Sequence, residues 1–245
     1  AGFEVAKAIE EGLAKPFKRK SIEFTDGPQG DEGGITVLHN GKDQKGLCLV
    51  SKYTAQGNSH GHYDKLSFML NFKGEEVIQD YGAARFVNIS QKSGGSQSGV
   101  YLDENFSFAK LTIAHNTISV DEEVHFGRDY RVASKNHAEK YFSELSNDGH
   151  QIISAKDHKA YPGVGMHRTL VMLQDHRLYQ PLIIDLFRAE SLSSHQYDLP
   201  YHYFGQLRVL LPVILWTLTK KITKVHSTLL YSFCAGICLL SLLTE

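Results

Sequence analysis

The sequence predicts a mainly β fold, an antiparallel β-sandwich or a set of stacked sheets, and three observations carry this prediction. Turn-forming clusters recur from residue 21 onward and separate short runs that are rich in β-branched and aromatic residues. In the run 66–72 (LSFMLNF), large apolar residues alternate with polar ones, which is typical of a half-buried strand. Asn40-Gly41 lies between two such runs and indicates a hairpin. Short strands joined by tight turns favour a sandwich.

The N-terminal stretch differs from this pattern. Residues 1–15 (AGFEVAKAIEEGLAK) carry apolar side chains at close to helical spacing, and Pro16 predicts the end of a helix. Such a short helix needs a partner for its apolar stripe. We interpret residues 1–20 as a terminal helix and linker, either from a missing upstream domain or as a cap on the sheet.

The β domain itself is assigned to residues 21–206. A tight turn at Lys73-Gly74 follows the strand at 66–72, and it is expected to place Asp80 opposite that strand. Further strands are predicted at 111–120, 131–136, 140–145, 151–156, 167–173 and 181–187.

The last segment, 207–245, is an anomalous apolar tail with almost no acidic residues. Its final apolar run, 229–243, is shorter than the ~18 residues of a membrane-spanning helix. Three interpretations are open: a membrane anchor, a very apolar core segment, or an out-of-frame or mis-spliced end. The abrupt stop of the strand pattern favours the third.

Composition limits the function classes. The chain has 245 residues, with 26 Lys+Arg against 27 Asp+Glu and a net charge of −1. This balance gives no electrostatic footprint for nucleic acid or an anionic membrane. Three cysteines do not form a disulfide framework. The chain starts at Ala1 without a charged-then-apolar leader, so we read it as a piece of a longer protein.

Histidines supply a candidate metal site. His60 and His62 share one face if their segment is extended, and with Asp80 and His115 they form a set that suits zinc. A tight turn before Asp80 leaves His62 roughly 20 Å away at ~3.3 Å per residue. The set closes only if the segment around His60 folds back or other strands bring the ligands together. Taken singly, each histidine is better explained as a hydrogen-bonded structural residue.

Two further residues are candidates for contact with a substrate. Arg85 could present its guanidinium fork to a carboxylate, although pairing with a neighbouring acid explains it equally well. Tyr101 follows a GGSQSG loop, and loops on rigid sheets often carry functional side chains. Other polar and aromatic residues are assigned structural roles by default, namely Tyr63, Tyr81, Asn105 and His167.

Five long blocks carry a resemblance to a known family: YTAQGNSHGHYDKLSF, EEVIQDYGAARFVNI, GGSQSGVYLDENFSFAKLTIAHNTISVD, AYPGVGMHRTL and HQYDLPYHYFGQ. From about residue 24 to 206 the sequence resembles the C-terminal domain of the heparinase II/III-like polysaccharide lyases. It is most similar to the family 17 oligoalginate lyases. This resemblance implies an N-terminal (α/α) toroid before the β domain, with the active site between them. The toroid is missing here, so the fragment alone is expected to be nearly inactive.

The resemblance also implies roles for individual residues. A structural zinc ion would be held at the positions of His62, Asp80 and His115. His60 matches a histidine that lines the cleft, and it is predicted to be catalytic together with Tyr101 and to bind substrate together with Arg85. Arg85 matches an arginine that contacts the uronate. Tyr101 matches a tyrosine that works with a second tyrosine from the toroid.

The reaction implied is β-elimination on a uronic acid of alginate, an acidic polysaccharide. The C5 proton becomes acidic once the neighbouring carboxylate is neutralised, and an acid then protonates the departing oxygen at C4. Tyrosine, with an unperturbed pKa near ~10, suits both roles when positive charge lies nearby. The resemblance further implies a periplasmic or secreted location, and it allows a homodimer.

Three rival functions remain open. A non-catalytic, carbohydrate-binding β-sandwich would bind saccharide without metal dependence and without a need for Tyr101. A cupin-like metal oxygenase fits the histidine pattern loosely, but PGVGMH lacks the expected glycine–histidine spacing. A lyase for another uronate polysaccharide, of the heparin or heparan type, would share the zinc and the sheet. The block from HGHYDK to QDYGAARF favours the alginate branch.

Overall fold

The structure is a computed structural model that describes residues 2–13, 19–41, 46–56, 60–84, 101–146, 149–178 and 180–204, together with the backbone of 229–234 and 237–244. Two main sheets and one short two-stranded sheet make up most of it. The predicted mainly β fold is confirmed. In the part of the chain covered by these ranges, no helix is long and apolar enough to cross a membrane.

The first sheet has five strands, each antiparallel to its neighbours in chain order. They are β1 (Ile22–Thr25), β2 (Gly34–His39), β3 (Leu47–Lys52), β4 (Phe68–Phe72) and β5 (Glu75–Ile78). The predicted β2–β3 hairpin and the turn between β4 and β5 are both confirmed. Lys73 and Gly74 have φ of 55° and 85°, the positive values of a type I′ turn, which matches the twist of a two-residue hairpin.

The second sheet has six strands in the order β12-β13-β10-β9-β8-β7. They are β7 (Glu139–Glu144), β8 (His150–Tyr161), β9 (Val164–Leu173), β10 (Leu182–Ser191), β12 (Leu229–Cys234) and β13 (Ile237–Thr244). The β10–β13 pair is parallel and the others are antiparallel. β6 (Ser119–Val120) pairs with β11 (Tyr197–Asp198) as a separate ribbon. β12 and β13 belong to the apolar tail, and their backbone adds two strands to this sheet. The interpretation of the tail as an out-of-frame or mis-spliced end stays a prediction.

One hydrophobic core joins the two main sheets. Leu38, Leu49 and Leu70 come from the first sheet, and they are fully buried in the same cluster as Ile153 and Phe187 of the second. Burial of each such side chain stabilises the fold by about 1.5–3 kcal/mol. The strands alternate buried and less buried residues along their length, so each sheet presents one apolar face to the shared core.

Two strand predictions are wrong. Residues 111–118 form irregular backbone with a 3₁₀ turn at Thr112–Ala114, and the short helix α2 (Tyr130–Ala133) replaces the strand predicted at 131–136. Asp129 caps that helix, because its carboxylate accepts hydrogen bonds from the backbone N–H groups of Arg131 and Val132. Local side-chain bonds to the backbone overrode the β-branched composition in this part of the chain.

The N-terminal helix α1 (Gly2–Glu10) is confirmed, with its end a few residues before the predicted one. It buries none of its residues against the described structure, and Phe3 is 84% exposed. Its assignment to an upstream domain stays a prediction.

A candidate active site beside a buried histidine and aspartate cluster

The segment around His62 folds back before β4 begins. Leu66 adopts a positive φ of 60°, and the N–H of Ser67 donates to the carbonyl of Asp64 at 3.1 Å. Lys65 is buried and fixes the turn, since its Nζ donates to the carbonyl of Thr54 at 2.8 Å. The chain therefore does not run straight from His62 into the strand. The segment around His60 thus folds back, which is one of the two arrangements that would allow His62 to approach Asp80.

Three buried side chains form a compact group: His62, Asp64 and His115. One potential ligand atom from each lies within 4.8 Å of those of the other two. The two imidazole rings are 5.0 Å apart between centroids. Asp80 joins through His115, whose Nδ1 is hydrogen-bonded to the Asp80 carboxylate. The sequence pattern predicted Asp80 and not Asp64 as the carboxylate ligand, although Asp64 lies only two positions after His62.

Within the described part of the chain, two polar atoms of this group have no hydrogen-bond partner, namely His115 Nε2 and Asp64 Oδ1. Buried polar atoms of folded proteins are nearly always paired, so unpaired ones indicate an absent ligand or ion. Because Nδ1 of His115 faces the Asp80 carboxylate, its Nε2 is left with a free lone pair. A histidine whose other nitrogen is held by a carboxylate is a common arrangement among metal ligands.

The charge states also suit a cation. Burial, helped by the neighbouring His115, lowers the pKa of His62 to about 4, so its imidazole is neutral near pH 7. Burial alone would raise the pKa of Asp64, but the Lys52 ammonium, 2.6 Å from its Oδ2, lowers that pKa to about 2. A neutral imidazole and an ionised carboxylate are the forms that bind metal ions. The group could therefore hold a metal ion that takes nitrogen and oxygen ligands.

Tyr101 and His60 lie together at the surface. Tyr101 Oη is 2.5 Å from His60 Nδ1, and His60 is exposed while Tyr101 is partly buried. The two residues that the sequence analysis named as catalytic are thus in direct contact across 41 positions of the chain. Arg85, the predicted uronate ligand, lies outside the described residues.

Basic and aromatic neighbours that the sequence analysis missed surround Tyr101. Phe106 packs edge-on to it at 6.2 Å between centroids, and Lys110 Nζ lies 6.0 Å from the centre of its ring. The chain between Tyr101 and Lys110 contains a π-helical turn at Asn105–Ala109. A pattern of strands does not predict such a turn, so these neighbours were not expected from the sequence.

Three of the four residues that were assigned structural roles by default make hydrogen bonds to other parts of the fold, and their roles stay predictions. Asn105 is buried and its Oδ1 accepts from the N–H of Ala84 at 3.1 Å, while Tyr63 Oη donates to the carbonyl of Arg128 at 2.7 Å. His167 Nε2 is 2.7 Å from Ser154 Oγ.

A buried arginine ties the second sheet to both loops of the cluster. Arg168 on β9 binds the Asp185 carboxylate of β10 through two hydrogen bonds of 2.6 and 2.9 Å. Its NH1 donates to the carbonyl of Leu66 at 2.8 Å and also to that of Asn116. These carbonyls lie two positions after Asp64 and one after His115. Arg168 therefore positions the two loops that carry the histidine and aspartate cluster.

Sequence comparisons match this chain to two characterised relatives. It is 39% identical over 206 residues to an exo-oligoalginate lyase of Saccharophagus degradans and 41% identical over 207 residues to an alginate lyase of Stenotrophomonas maltophilia. Each match covers 84% of this chain but 27% of the relative. The chain thus spans about a quarter of the length of the curated relatives it matches.

Comparison with solved structures supports the fold. A heparinase III gene product matches 95% of this chain and 34% of its own, with a TM-score of 0.59 at 14% identity. The sequence profile of the family described as heparinase II/III-like, C-terminal, matches residues 24–223. The chain belongs to this heparinase II/III-like C-terminal family.

Proposed function

We propose that the protein is a polysaccharide lyase that cleaves alginate or alginate oligosaccharides by β-elimination at uronic acid residues. The contact between Tyr101 Oη and His60 Nδ1 carries this proposal, because it sets a phenol beside a proton acceptor at an accessible surface. The two alginate lyases at about 40% identity support alginate as the substrate class. This chain would supply half of the active site, and an N-terminal toroid domain would supply the rest.

In this mechanism the Tyr101 phenol serves as acid and base. As phenolate it removes the C5 proton, and the electron pair left behind forms the C4–C5 double bond while the bond from C4 to the glycosidic oxygen breaks. The departing oxygen takes its proton from the Tyr101 phenol, which has just received it from C5, and this leaves Tyr101 as phenolate again. His60 Nδ1, at 2.5 Å, accepts and returns the tyrosine proton. Arg85 would bind the uronate carboxylate and neutralise it.

We further propose that a structural zinc ion is held by His62, Asp80 and His115. The neutral His62 and the Asp80 carboxylate beside His115 Nδ1 support a site for nitrogen and oxygen ligands. If the ion instead binds the unpaired Nε2 of His115, Asp64 takes the place of Asp80 in the ligand set. When bound, the metal would add positive charge and cross-link the loops at His62 and His115. The catalytic proton transfers belong to the protein side chains.

Metal content and thermal melting test the zinc proposal. About one zinc per purified chain is expected, with loss of the metal and a lower Tm in His62→Ala and Asp80→Ala. His176→Ala, which removes an exposed histidine, serves as the control and should keep both. Asp64→Asn distinguishes Asp64 from Asp80 as the carboxylate ligand. If Asp64→Asn loses zinc while Asp80→Ala retains it, the assignment of Asp80 as a ligand is wrong.

An elimination assay tests the lyase. It should use the protein at its full natural length and follow the ultraviolet absorbance of the unsaturated uronate product. Tyr101→Phe should lower kcat by about 10²–10⁴, the usual contribution of a general acid or base, with an unchanged Tm. Tyr141→Phe, at an exposed tyrosine of β7, is the matched control.

The substrate panel contains alginate, oligoalginates and heparan sulfate. Product from heparan sulfate alone would favour the alternative of a lyase for another uronate polysaccharide. Saccharide binding with no product, unaltered by Tyr101→Phe, would leave a carbohydrate-binding β-sandwich. A periplasmic or secreted location and a homodimer also belong to the proposal, and cell fractionation and sedimentation velocity test them.

A further inference from the structure

A cleft of about 390 Å³ lies next to Tyr101 and has no role in the mechanism above. Its walls are formed by two cations, three aromatic rings and one amide, namely Lys110, Arg128, Tyr63, Phe106, Tyr130 and Gln56. The volume lies within the ~300–1,000 Å³ range typical of small-molecule sites. No carboxylate stands among these lining residues, so the cleft is cationic and can attract an anion. We call it the Lys110–Arg128 cleft.

The cleft adjoins Tyr101 through two residues that line the cleft and also lie next to the tyrosine ring. Phe106 is one of them, since its ring packs against Tyr101 at 6.2 Å and forms a wall of the cleft. Lys110 Nζ lies 5.6 Å from the centre of the Phe106 ring and 6.0 Å from that of Tyr101. A ligand that reaches Tyr101 can therefore extend into the cleft.

The backbone at the cationic end of the cleft is held in an unusual conformation. Phe126, Gly127 and Arg128 have φ of 59°, 55° and 64°, three left-handed residues in succession. Non-glycine residues in this region are strained, and such strain clusters at sites of function. Tyr63 Oη donates to the carbonyl of Arg128 at 2.7 Å, and the Arg128 guanidinium donates to the carbonyl of Phe106. These bonds hold Arg128 at the edge of the cleft.

A buried acceptor on the wall has no hydrogen-bond partner. Gln56 is 7% exposed, and its Nε2 donates to the carbonyl of Gly61 at 3.2 Å, yet its Oε1 is unpaired among the described residues. An unpaired buried oxygen indicates a missing donor, and a sugar hydroxyl is a donor of the right kind. Partial burial also lowers the pKa of Lys110, so its ammonium has lost some of its water and gains from a carboxylate in its place.

We propose that the Lys110–Arg128 cleft is a subsite for a uronate unit of the chain whose neighbouring unit is held at Tyr101. Lys110 and Arg128 bind the carboxylate of that unit, the aromatic rings pack against its sugar ring, and Gln56 accepts one of its hydroxyl groups. This assignment rests on the proposed function, because the lyase substrate is the anionic sugar that would reach both places. The cleft sets the preference for acidic over neutral saccharide chains.

Equilibrium binding tests the subsite. Calorimetry with an alginate trisaccharide is performed on the full-length protein carrying Tyr101→Phe, which prevents turnover. Adding Lys110→Met or Arg128→Gln should weaken binding about tenfold each, because each change removes a charge-assisted hydrogen bond. Lys135→Met and Arg131→Gln are the matched controls, since they remove exposed cations of the same segment that do not line the cleft. A neutral trisaccharide should bind weakly to all forms.

The outcomes separate this inference from the proposed function. If wild-type protein produces unsaturated uronate but Lys110→Met and Arg128→Gln bind the trisaccharide as tightly as their parent, the subsite assignment is overturned and the lyase stands. If no product forms but the two variants still lose affinity, the cleft binds acidic saccharide and the lyase proposal fails. Equal losses of affinity in the control variants would show that binding depends only on the overall positive charge of the protein. They would overturn the subsite assignment. Melting temperatures confirm that each variant is folded.

Discussion

The three long strands β8, β9 and β10 differ from the segment 101–134 in how they bury their residues. The strands run for 10 to 12 residues, with buried positions at nearly every second residue. The segment 101–134 contains no strand longer than two residues, and four of its non-glycine residues have positive φ. It buries polar side chains that include Thr112, His115 and Asn116. The regular region supplies a large part of the core, and the irregular region supplies Tyr101 and His115 of the candidate site.

In the irregular segment, polar side chains form the hydrogen bonds to buried backbone groups that neighbouring strands form in the sheets. Asn116 Nδ2 donates to the carbonyls of Phe68 and Gln79 at 3.0 and 2.6 Å, and Thr117 Oγ1 donates to that of Lys65 at 2.5 Å. Buried backbone groups must be paired, and these side chains pair them where no strand can. The candidate site is thus held by specific side-chain hydrogen bonds to a rigid sheet, and single substitutions should therefore disturb it.

The largest expected effect comes from cutting the link between the two regions. Arg168→Met removes the bonds to Leu66 and Asn116 and leaves the Asp185 carboxylate buried without its cation, which should reduce the free energy of unfolding by about 3–5 kcal/mol. Urea unfolding, followed by circular dichroism and by aromatic fluorescence, measures it. Arg188→Met, at an exposed arginine of β10, should change stability by less than about 0.5 kcal/mol.

That experiment also tests whether the two regions are one cooperative unit. Coincident transitions from both probes in the Arg168→Met variant would show that they unfold together. A separate early transition of the irregular segment would show that Arg168 couples two units. A loss no larger than that of Arg188→Met would contradict the role assigned to Arg168.

Acid should weaken the irregular region through His125. This imidazole is fully buried, accepts from the Lys65 N–H at Nδ1 and donates from Nε2 to the carbonyl of Ile118. Burial lowers the pKa of His125 to about 3, below its unfolded value of 6.5, so the unfolded chain binds the proton more readily. Stability should therefore fall as pH drops from 6.5 towards 3, by about 1.4 kcal/mol per unit.

Urea unfolding at pH 7, 6 and 5 measures this slope. His125→Gln should reduce the slope by about 1.4 kcal/mol per pH unit and leave the part that comes from the buried His62, whereas His176→Gln, at an exposed histidine, should leave the slope unchanged. A stability that is constant between pH 7 and 5 in the wild type would contradict the buried neutral state of His125.

The smallest expected effect lies in the regular region. Gly74 has φ of 85° and an added Cβ would meet nothing within 4 Å, so Gly74→Ala should lose about 1 kcal/mol through backbone strain alone. Gly82 also has open space but no positive φ, and Gly82→Ala should be neutral. Thermal melting compares them. Equal effects would contradict the strain assigned to the positive φ of Gly74.

The sequence by itself determined the mainly β fold, both hairpins, the strand at 66–72 and four of the six further strands, because alternation with period two and turn residues are local signals. It also named His60, His62, Asp80, His115 and Tyr101, through residue type and resemblance, while their roles stay predictions. It failed at 111–118 and 131–136, where capping and buried polar bonds outweigh β propensity.

Tertiary structure alone decided which of these residues meet. It placed Asp64 with His62 and His115, joined Asp80 to His115 across 35 positions, and set Tyr101 on His60 across 41. It also formed the Lys110–Arg128 cleft from residues of three segments. The reason is physical: strand periodicity depends on near neighbours, whereas these contacts depend on a positive φ at Leu66 and on hydrogen bonds from Arg168, which no local pattern encodes.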